Sequence, residues 1–416
     1  MKPKVVISTG VGRLHFVETV ESLPAGQVDC SVISGWVPSK SMMVILGWLP
    51  IYGSNRSLAD RLKPRLRFLK TGARVHSLFL PEFERLYRKL LSKIIATDDL
   101  DTATKVWELF GKQSIPFLTG DIFHTRSGAG QGGAIAAAKA KGMKVIVDQS
   151  LAHPVEMERN LKDLYHAHGI HFELGPDKTF WQLVLKDCEE ADILLVNSDY
   201  VKQNFVDLGY DPEKIRVSYL GVRQDFKGLK QDYALAEDGV LRLLFTGGFG
   251  LRKGANVIID AVQELEQRGI QCRVEVAGNG IQGQALLEAY PDSIKQRFTF
   301  HGFIPQDDLK ALLQRADMYV FPSYAEGCAK SAAEAMAAGL PVICTKETGI
   351  PSSEVETHCV VERGSVSALV DSIVDLAKNE SRRREIGLAG AVLVAERMTW
   401  SNYGQELVEL YQELTD

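Results

Sequence analysis

Two acids eight positions apart, Glu326 and Glu334, sit in the segment YAEGCAKSAAEAMAAGLP at 324–341. Pro322 and Gly327 mark a loop after the apolar run DMYVFPS, and Ser331 to Ala338 is an alanine-rich helix ended by Gly339-Leu340-Pro341. Glu326 then falls in the loop and Glu334 in the first turns of the helix, both facing strand ends. The backbone N–H groups of Cys328, Ala329 and Lys330 lie at the helix start, which favours an anion. Carboxylates that grip hydroxyls beside amides that meet phosphate suit a phosphorylated sugar. A helix start with merely stabilising acids is the alternative.

A second set lies earlier in the chain. Gly10-Val11-Gly12-Arg13-Leu14-His15 follows an apolar strand, and its glycines let backbone approach a ligand, unless the loop is a plain tight turn. His15, His124 in DIFHTRSG and His153 in VDQSLAHP compete for a catalytic role, with a satisfied core histidine as the other reading for the last two. His166, His168 and His171 have the wrong spacing for zinc and read as a solvated helix end. Gly128 to Gly133 satisfies G-x-G-x-x-G after a strand, with Asp148 ending the next strand 20 residues on, the letter of a dinucleotide fingerprint. Arg126-Ser127 separate that strand from the glycines, and the motif is not at the first strand. The glycines therefore read as room for an acceptor or a sugar, and an NAD-dependent oxidoreductase remains an alternative.

Positioning these groups requires two successive α/β units. Short β-branched runs, each followed by a helical-period stretch, recur at 5–9, 121–125, 143–148, 191–198 and 215–220. They resume at 241–247, 273–278, 297–302, 317–322, 340–345 and 358–363. That alternation describes two doubly wound parallel sheets facing a cleft at their carboxyl ends. The expected organisation is a first domain at 1–226, a polar linker at 227–239 and a second domain at 240–399. A helix at 400–416 packs back on the first domain.

The 416 residues are 45% hydrophobic and 24% charged with a net charge of -5, which excludes a small binding module, a disordered chain and a general nucleic-acid binder. Six scattered cysteines without a C-x-x-C pair suit free thiols in a reducing compartment, and no apolar run is long enough to span a bilayer. A cytoplasmic protein is expected.

The 324–341 segment resembles the E-x7-E signature of the retaining glycosyltransferases of family 4, whose usual form is E-G-F-G followed by E-A-M-A-x-G-x-P-V. Further similar segments fall in the family's order: Asn197-Ser198 with YVKQNF, Lys214-Ile215, Gly221-Val222, FTGGFGLRKG at 245–254, Val276 to Gly280, and His301-Gly302-Phe303. The resemblance implies the GT-B fold, two Rossmann-like domains. It also implies transfer of a sugar from a nucleotide diphosphate sugar to a sugar or lipid-linked acceptor hydroxyl, with retention, in polysaccharide or glycolipid synthesis. By position, Glu334 takes the ribose hydroxyls, Glu326 the donor sugar and Lys253 the diphosphate, where a point charge beside a helix start stabilises a leaving group. Gly248 stands where the family usually has arginine, and neighbouring Arg252 is expected to replace that charge. Cys328-Ala329 replace the usual Phe-Gly. Lys330, Gly278 and Phe303 complete the donor side, and Gly10, Gly12, His15 and Arg126 form the acceptor side. The family's usual histidine position is held by Arg126, two residues beyond His124, whereas His153 matches a D-x-x-x-x-H arrangement of some branches. The catalytic candidates are therefore His153, His124, Glu326 and Lys253. No D-x-D pair stands at a strand end, so no metal is expected. A non-hydrolysing nucleotide-sugar epimerase on the same fold is the nearest alternative.

One stretch is strongly biased. Asn55 to Lys93 carries eleven basic and three acidic residues, interleaved with leucine and phenylalanine partly at helical spacing. It reads either as an acceptor-domain helix with its apolar face in the core and its basic face solvated, or as a peripheral anchor on an anionic membrane surface.

Overall fold

The computed structural model describes residues 2–12, 15–48, 63–91, 99–174 and 179–416. Arg13 and Leu14 of the first glycine loop, and 55–62 with 92–93 of the basic stretch, lie outside the described residues.

The first sheet contains β1 (Lys4–Ser8), β2 (Asp29–Gly35), β3 (Arg74–Leu78), β4 (Ile122–Arg126), β5 (Lys144–Gln149), β6 (Ile193–Val196) and β7 (Ile215–Val217). The second contains β8 (Leu241–Thr246), β9 (Cys272–Ala277), β10 (Phe298–Gly302), β11 (Met318–Phe321), β12 (Val342–Thr345) and β13 (Cys359–Val361). The strand orders are β3-β2-β1-β4-β5-β6-β7 and β10-β9-β8-β11-β12-β13, with parallel pairing in each, so the doubly wound expectation holds. The order reverses between β1 and β4 and again between β8 and β11. At such points the loops leaving neighbouring strands diverge to opposite faces and open a crevice at the carboxyl ends.

The apolar runs are continuous because both faces are covered. Val5 and Ile7 face Phe16, Tyr403, Leu407 and Tyr411, while Val6, Phe123, Val145 and Val147 join Phe110, Ile135 and Phe205 on the other side. The helix Trp400–Glu413 supplies Tyr403, Leu407 and Tyr411, which brings the chain's end back to the first sheet.

Two strands escape the sequence reading. In β2, DCSVISG, polar Ser31 and Ser34 interrupt the apolar pattern, and β3, RVHSL, buries only Leu78. An edge strand needs only one neighbour and need not be apolar. β3 also lies inside the basic stretch, which is thus partly a strand and partly the 3-10 turn Lys63–Lys70 before the helix Leu80–Leu91.

The polar 227–239 segment is not a loose tether. Gly228 and Lys230 donate their N–H groups to Ala337 and Ala338 carbonyls at 2.9 and 2.8 Å, Lys230 Nζ reaches Ala316 O at 2.7 Å, and Tyr233 OH reaches Gly339 O at 2.7 Å. Buried Arg383 donates to Tyr233 O. Lys230 and Tyr233 thus satisfy carbonyls at helix ends, while Lys227, Gln231, Asp232, Glu237 and Asp238 of the same segment are exposed.

Candidate functional site

In the second half, the reversal of strand order sets the turn after β8 beside the loop after β11. Tyr324 N–H donates to Arg252 O at 2.8 Å and Ser323 Oγ to the same carbonyl at 3.1 Å, which ties the two loops together. Their side chains then converge. Arg252 Nη1 stands 2.7 Å and Lys253 Nζ 3.3 Å from Glu326 Oε1, and Lys253 also lies 4.9 Å over the Phe321 ring. Beside them a cavity of about 300 Å³ is lined by Gly248, Gly250, Lys253, Asn279 and Gln282, with Tyr165 contributed by the first half. No atom lies within 4 Å of where a Cβ at Gly248 would stand. Two cations sharing one carboxylate at the mouth of an open glycine turn can exchange that partner for phosphate oxygens, since both are charge-assisted bonds of similar kind.

Glu334 occupies the second turn of the helix Lys330–Ala337, half-buried. Burial pushes its carboxyl above the usual range, against the pull of Lys330 and Arg223. The anion site expected at this helix start is only partly available: Ala329 N–H is already donated to Thr348 O at 2.8 Å. Burial holds the Cys328 thiol up at about 12, so it is no thiolate. Gly278 (φ 134°) is a packing glycine rather than a ligand contact, because a Cβ there would come 2.2 Å from Gly247 O. Phe303 is 79% exposed just beyond β10.

The halves meet through the Glu326 loop. Ser198 Oγ, at the N-cap of the helix Asp199–Asp207, donates to Gly327 O at 2.6 Å, and a Cβ at Gly327 would lie 2.0 Å from Ser150 O. The loops after β5 and β6 therefore fix the position of the residue next to Glu326. Asn197-Ser198 carried no role in the sequence reading beyond a landmark.

In the first half the histidines are not where a catalytic role requires them. His124 is fully buried in β4, its Nδ1 2.7 Å from Tyr411 OH, and burial lowers it to about 4. His153 caps the helix Pro154–Ala167: its Nδ1 accepts from Val155 N–H at 3.2 Å, and its ring meets Phe205 and Tyr210 edge-on. Burial lowers it to about 4 as well. Its ring turns into the core, not the cleft expected from its strand-end loop, because the helix it begins needs a cap and the β6 side of the sheet offers an aromatic pocket. His15, read as an acceptor contact, instead has Nε2 2.8 Å from Asp148 Oδ2, and Ser150 Oγ donates to Asp148 Oδ1 at 2.9 Å. Burial alone would raise Asp148, but the charge and hydrogen bond of His15 outweigh it and hold the carboxyl below its usual range.

That pairing also overturns the dinucleotide reading of Asp148. The Gly128–Gly133 motif offers no room for a ligand: a Cβ at Gly132 would lie 2.0 Å from Glu108 O and one at Gly130 2.5 Å from Ile135 Cδ1, while Gly130 N–H is held by buried Asp187 at 2.8 Å. The glycines exist for close helix packing. Gly10 (φ 68°) similarly packs on Trp107, which would be 2.5 Å from a Cβ. Gly12 and Arg126 do reach a cavity, described below.

The helix Leu80–Leu91 is inverted relative to the expectation of an apolar face in the core. Leu80, Phe83, Leu86, Tyr87 and Leu90 are each about half exposed along one face, whereas Arg85, Arg88 and Lys89 line a cavity on the other. Its neighbour, the helix Asp99–Ser114, lines the same cavity with Thr102, Ala103, Val106 and Trp107. No helix among the described residues is long and apolar enough to cross a membrane.

Residues 241–379 match the family described as Glycosyl transferases group 1. The chain is 26% identical over 275 residues to the D-inositol 3-phosphate glycosyltransferase of Corynebacterium urealyticum, covering 61% of this chain and 63% of that protein, so it spans less than two thirds of that relative's length. Among solved structures it is similar to sucrose-phosphate synthase from Thermosynechococcus elongatus, with TM-score 0.66, 16% identity and 99% of each chain covered. It is also similar to Anabaena HepE in complex with UDP and glucose, with TM-score 0.62, 14% identity and 99% of each chain covered. The second half thus carries the family's sequence pattern, and the whole chain shares the two-domain GT-B architecture.

Proposed function

We propose that this protein is a glycosyltransferase that moves a sugar from a nucleotide diphosphate donor to an acceptor, with the donor at the carboxyl ends of β8 and β11. The observation that carries this reading is the convergence of Arg252 and Lys253 on Glu326 beside the open turn at Gly248. In this scheme the two cations take the diphosphate and neutralise charge as the sugar–phosphate bond breaks, which needs no metal, so activity should survive EDTA. Glu326, released from the cations, accepts from donor-sugar hydroxyls, and Glu334 accepts from the ribose. A carboxylate raised by burial is relieved by two such hydroxyl donors. The bond to the acceptor oxygen forms on the face from which the diphosphate leaves, with retention, as the acceptor hydroxyl passes its proton to the departing diphosphate oxygen. The catalytic histidine expected from the sequence is not part of this scheme, since His124 and His153 are buried neutral rings. The relative that acts on an inositol phosphate and the neighbour bound to UDP support the donor and acceptor classes by analogy. The test is a screen of nucleotide sugars by calorimetry and product analysis with and without added sugar acceptors. Product that forms only with an acceptor supports transfer. A new sugar epimer formed without one identifies an isomerase instead.

We further infer that the apolar face of the helix Leu80–Leu91 rests on an anionic membrane surface, which gives access to a lipid-linked acceptor. Half-exposed Phe83, Leu86 and Leu90 insert at the headgroup level while nearby cations meet anionic lipid, each worth about 1 kcal/mol near the interface. Co-sedimentation should need anionic vesicles and weaken with salt as the Debye length shrinks. Wild-type protein that stays in the supernatant at low salt removes this placement.

A further inference from the structure

The first sheet reverses its strand order between β1 and β4, and a cavity of about 530 Å³ opens there. Its wall is unusual in charge. Arg126, Arg85, Arg88 and Lys89 line it together with Gly12 and Trp107, and among the described residues no acidic one does. Arg85 and Arg88 keep partners at the rim, Glu82 at 2.9 Å and Glu84 at 2.6 Å. Arg126 differs from both. Its guanidinium lies 4.6 Å over the Trp107 ring, and among the described residues no carboxylate stands within ion-pair distance. The carboxylate in its field, Asp148, is already held by His15 and Ser150. At Gly12 the nearest group to a would-be Cβ is Arg126 Nη1 itself at 2.7 Å, so the guanidinium lies directly against this loop. Burial lowers Arg126 to about 10, a penalty that an arriving anion relieves.

Buried cations are normally paired, and an aromatic face replaces only part of the lost hydration. A planar fork of donors left open in a concave site at a strand-order reversal is matched by a tetrahedral oxyanion. We propose that this cavity is the acceptor site and that it holds a phosphate group of the acceptor, with Arg126 as the principal contact and Arg85, Arg88 and Lys89 as the surrounding field. The volume lies within the range of small-molecule sites and accommodates a phosphorylated sugar or headgroup. The inference rests on the transfer reading above for the word acceptor, and on the first half alone for the phosphate. A soluble sugar phosphate and a phospholipid headgroup share this chemistry.

The test uses the full chain with UDP present at saturation, so that the second-half site is filled, and UDP binding is itself measured first by calorimetry. Inorganic phosphate, glucose 6-phosphate, glucose, and vesicles of phosphatidylcholine with or without phosphatidic acid are then added as probes, with tryptophan fluorescence as the readout. Glucose 6-phosphate should bind at least roughly tenfold more tightly than glucose, as expected for charge-assisted bonds. Arg126→Gln should abolish that preference, Arg126→Lys should restore part of it, and UDP affinity should stay constant throughout. Arg85→Gln, at a half-exposed side chain, should weaken phosphate binding by a few-fold. Loss with Arg126→Gln for the soluble phosphate alone assigns a soluble acceptor, and loss for the phosphatidic acid vesicles alone assigns a lipid headgroup. Glucose and glucose 6-phosphate binding alike, or phosphate binding indifferent to both arginine substitutions, overturns the proposal. Intact UDP binding in that case leaves the transferase reading standing, whereas absent UDP binding counts against that reading separately.

Discussion

The two strand-order reversals in this chain use similar backbone geometry and handle their charges in opposite ways. At β8/β11 the cations and the carboxylate sit on loops, pair with one another and keep a partly open surface, so the group is ready to exchange partners. At β1/β4 the titratable groups His15, His124 and Asp148 are sealed by the helix Trp400–Glu413 and Phe16, leaving Arg126 to face the cavity. The same fold position therefore holds an exchangeable ion cluster in one half and a locked polar core with a single outward cation in the other. Strand-end location is a weak guide to chemistry until burial has been established for each side chain.

The comparison breaks most sharply at Lys253. Its replacement by alanine should lower the turnover rate by roughly a hundredfold to a thousandfold, the usual effect of removing a donor aimed at developing charge. A rate near that of the wild type, with the donor saturating, would show that the Glu326 cluster is structural, like its counterpart in the first half.

The locked character of the first half predicts a pH effect. His124 titrates near 6.5 in an unfolded chain and at about 4 when folded, so between those values the unfolded state binds a proton that the folded state refuses. Stability should be flat above about pH 6.5 and fall as pH drops towards 4, by on the order of 3 kcal/mol from His124, with His153 acting in the same direction. Denaturant unfolding across this range is the check, and a flat profile would mean that the ring is hydrated and available.

Glu334 tests the second half at a smaller scale. Glu334→Ala should weaken nucleotide binding by about 1.5 to 3 kcal/mol with folding preserved, the loss expected for charge-assisted hydrogen bonds. Unchanged affinity in calorimetry would reduce this carboxylate to a helix residue.

The smallest effect separates a cap from a catalyst. His153→Ala should cost about 1 kcal/mol of stability through the lost bond to Val155 N–H, with turnover per folded molecule close to wild type. A hundredfold slower enzyme with normal stability would return His153 to the chemistry.

Eleven of the thirteen described strands and the Glu326–Glu334 segment were legible because burial on both faces writes a continuous apolar run and a loop-to-helix junction writes its own breakers. β2 and β3 were not, since serines interrupt one and the other lies at an edge. Arg252 and Lys253 were placed on the donor side by the family resemblance, and only the fold sets them against Glu326. What residue type and local spacing could not decide was direction. Whether a histidine after a strand points into a cleft or into aromatic rings depends on Phe205 and Tyr210, which are about fifty residues away in the chain. Whether a G-x-G-x-x-G run is open depends on the carbonyl of Glu108 arriving from another helix. Whether the apolar side of the helix Leu80–Leu91 is core or surface depends on what its basic side finds opposite. Short-range sterics and hydrogen bonding determine the elements, and only long-range packing assigns each element an inside and an outside.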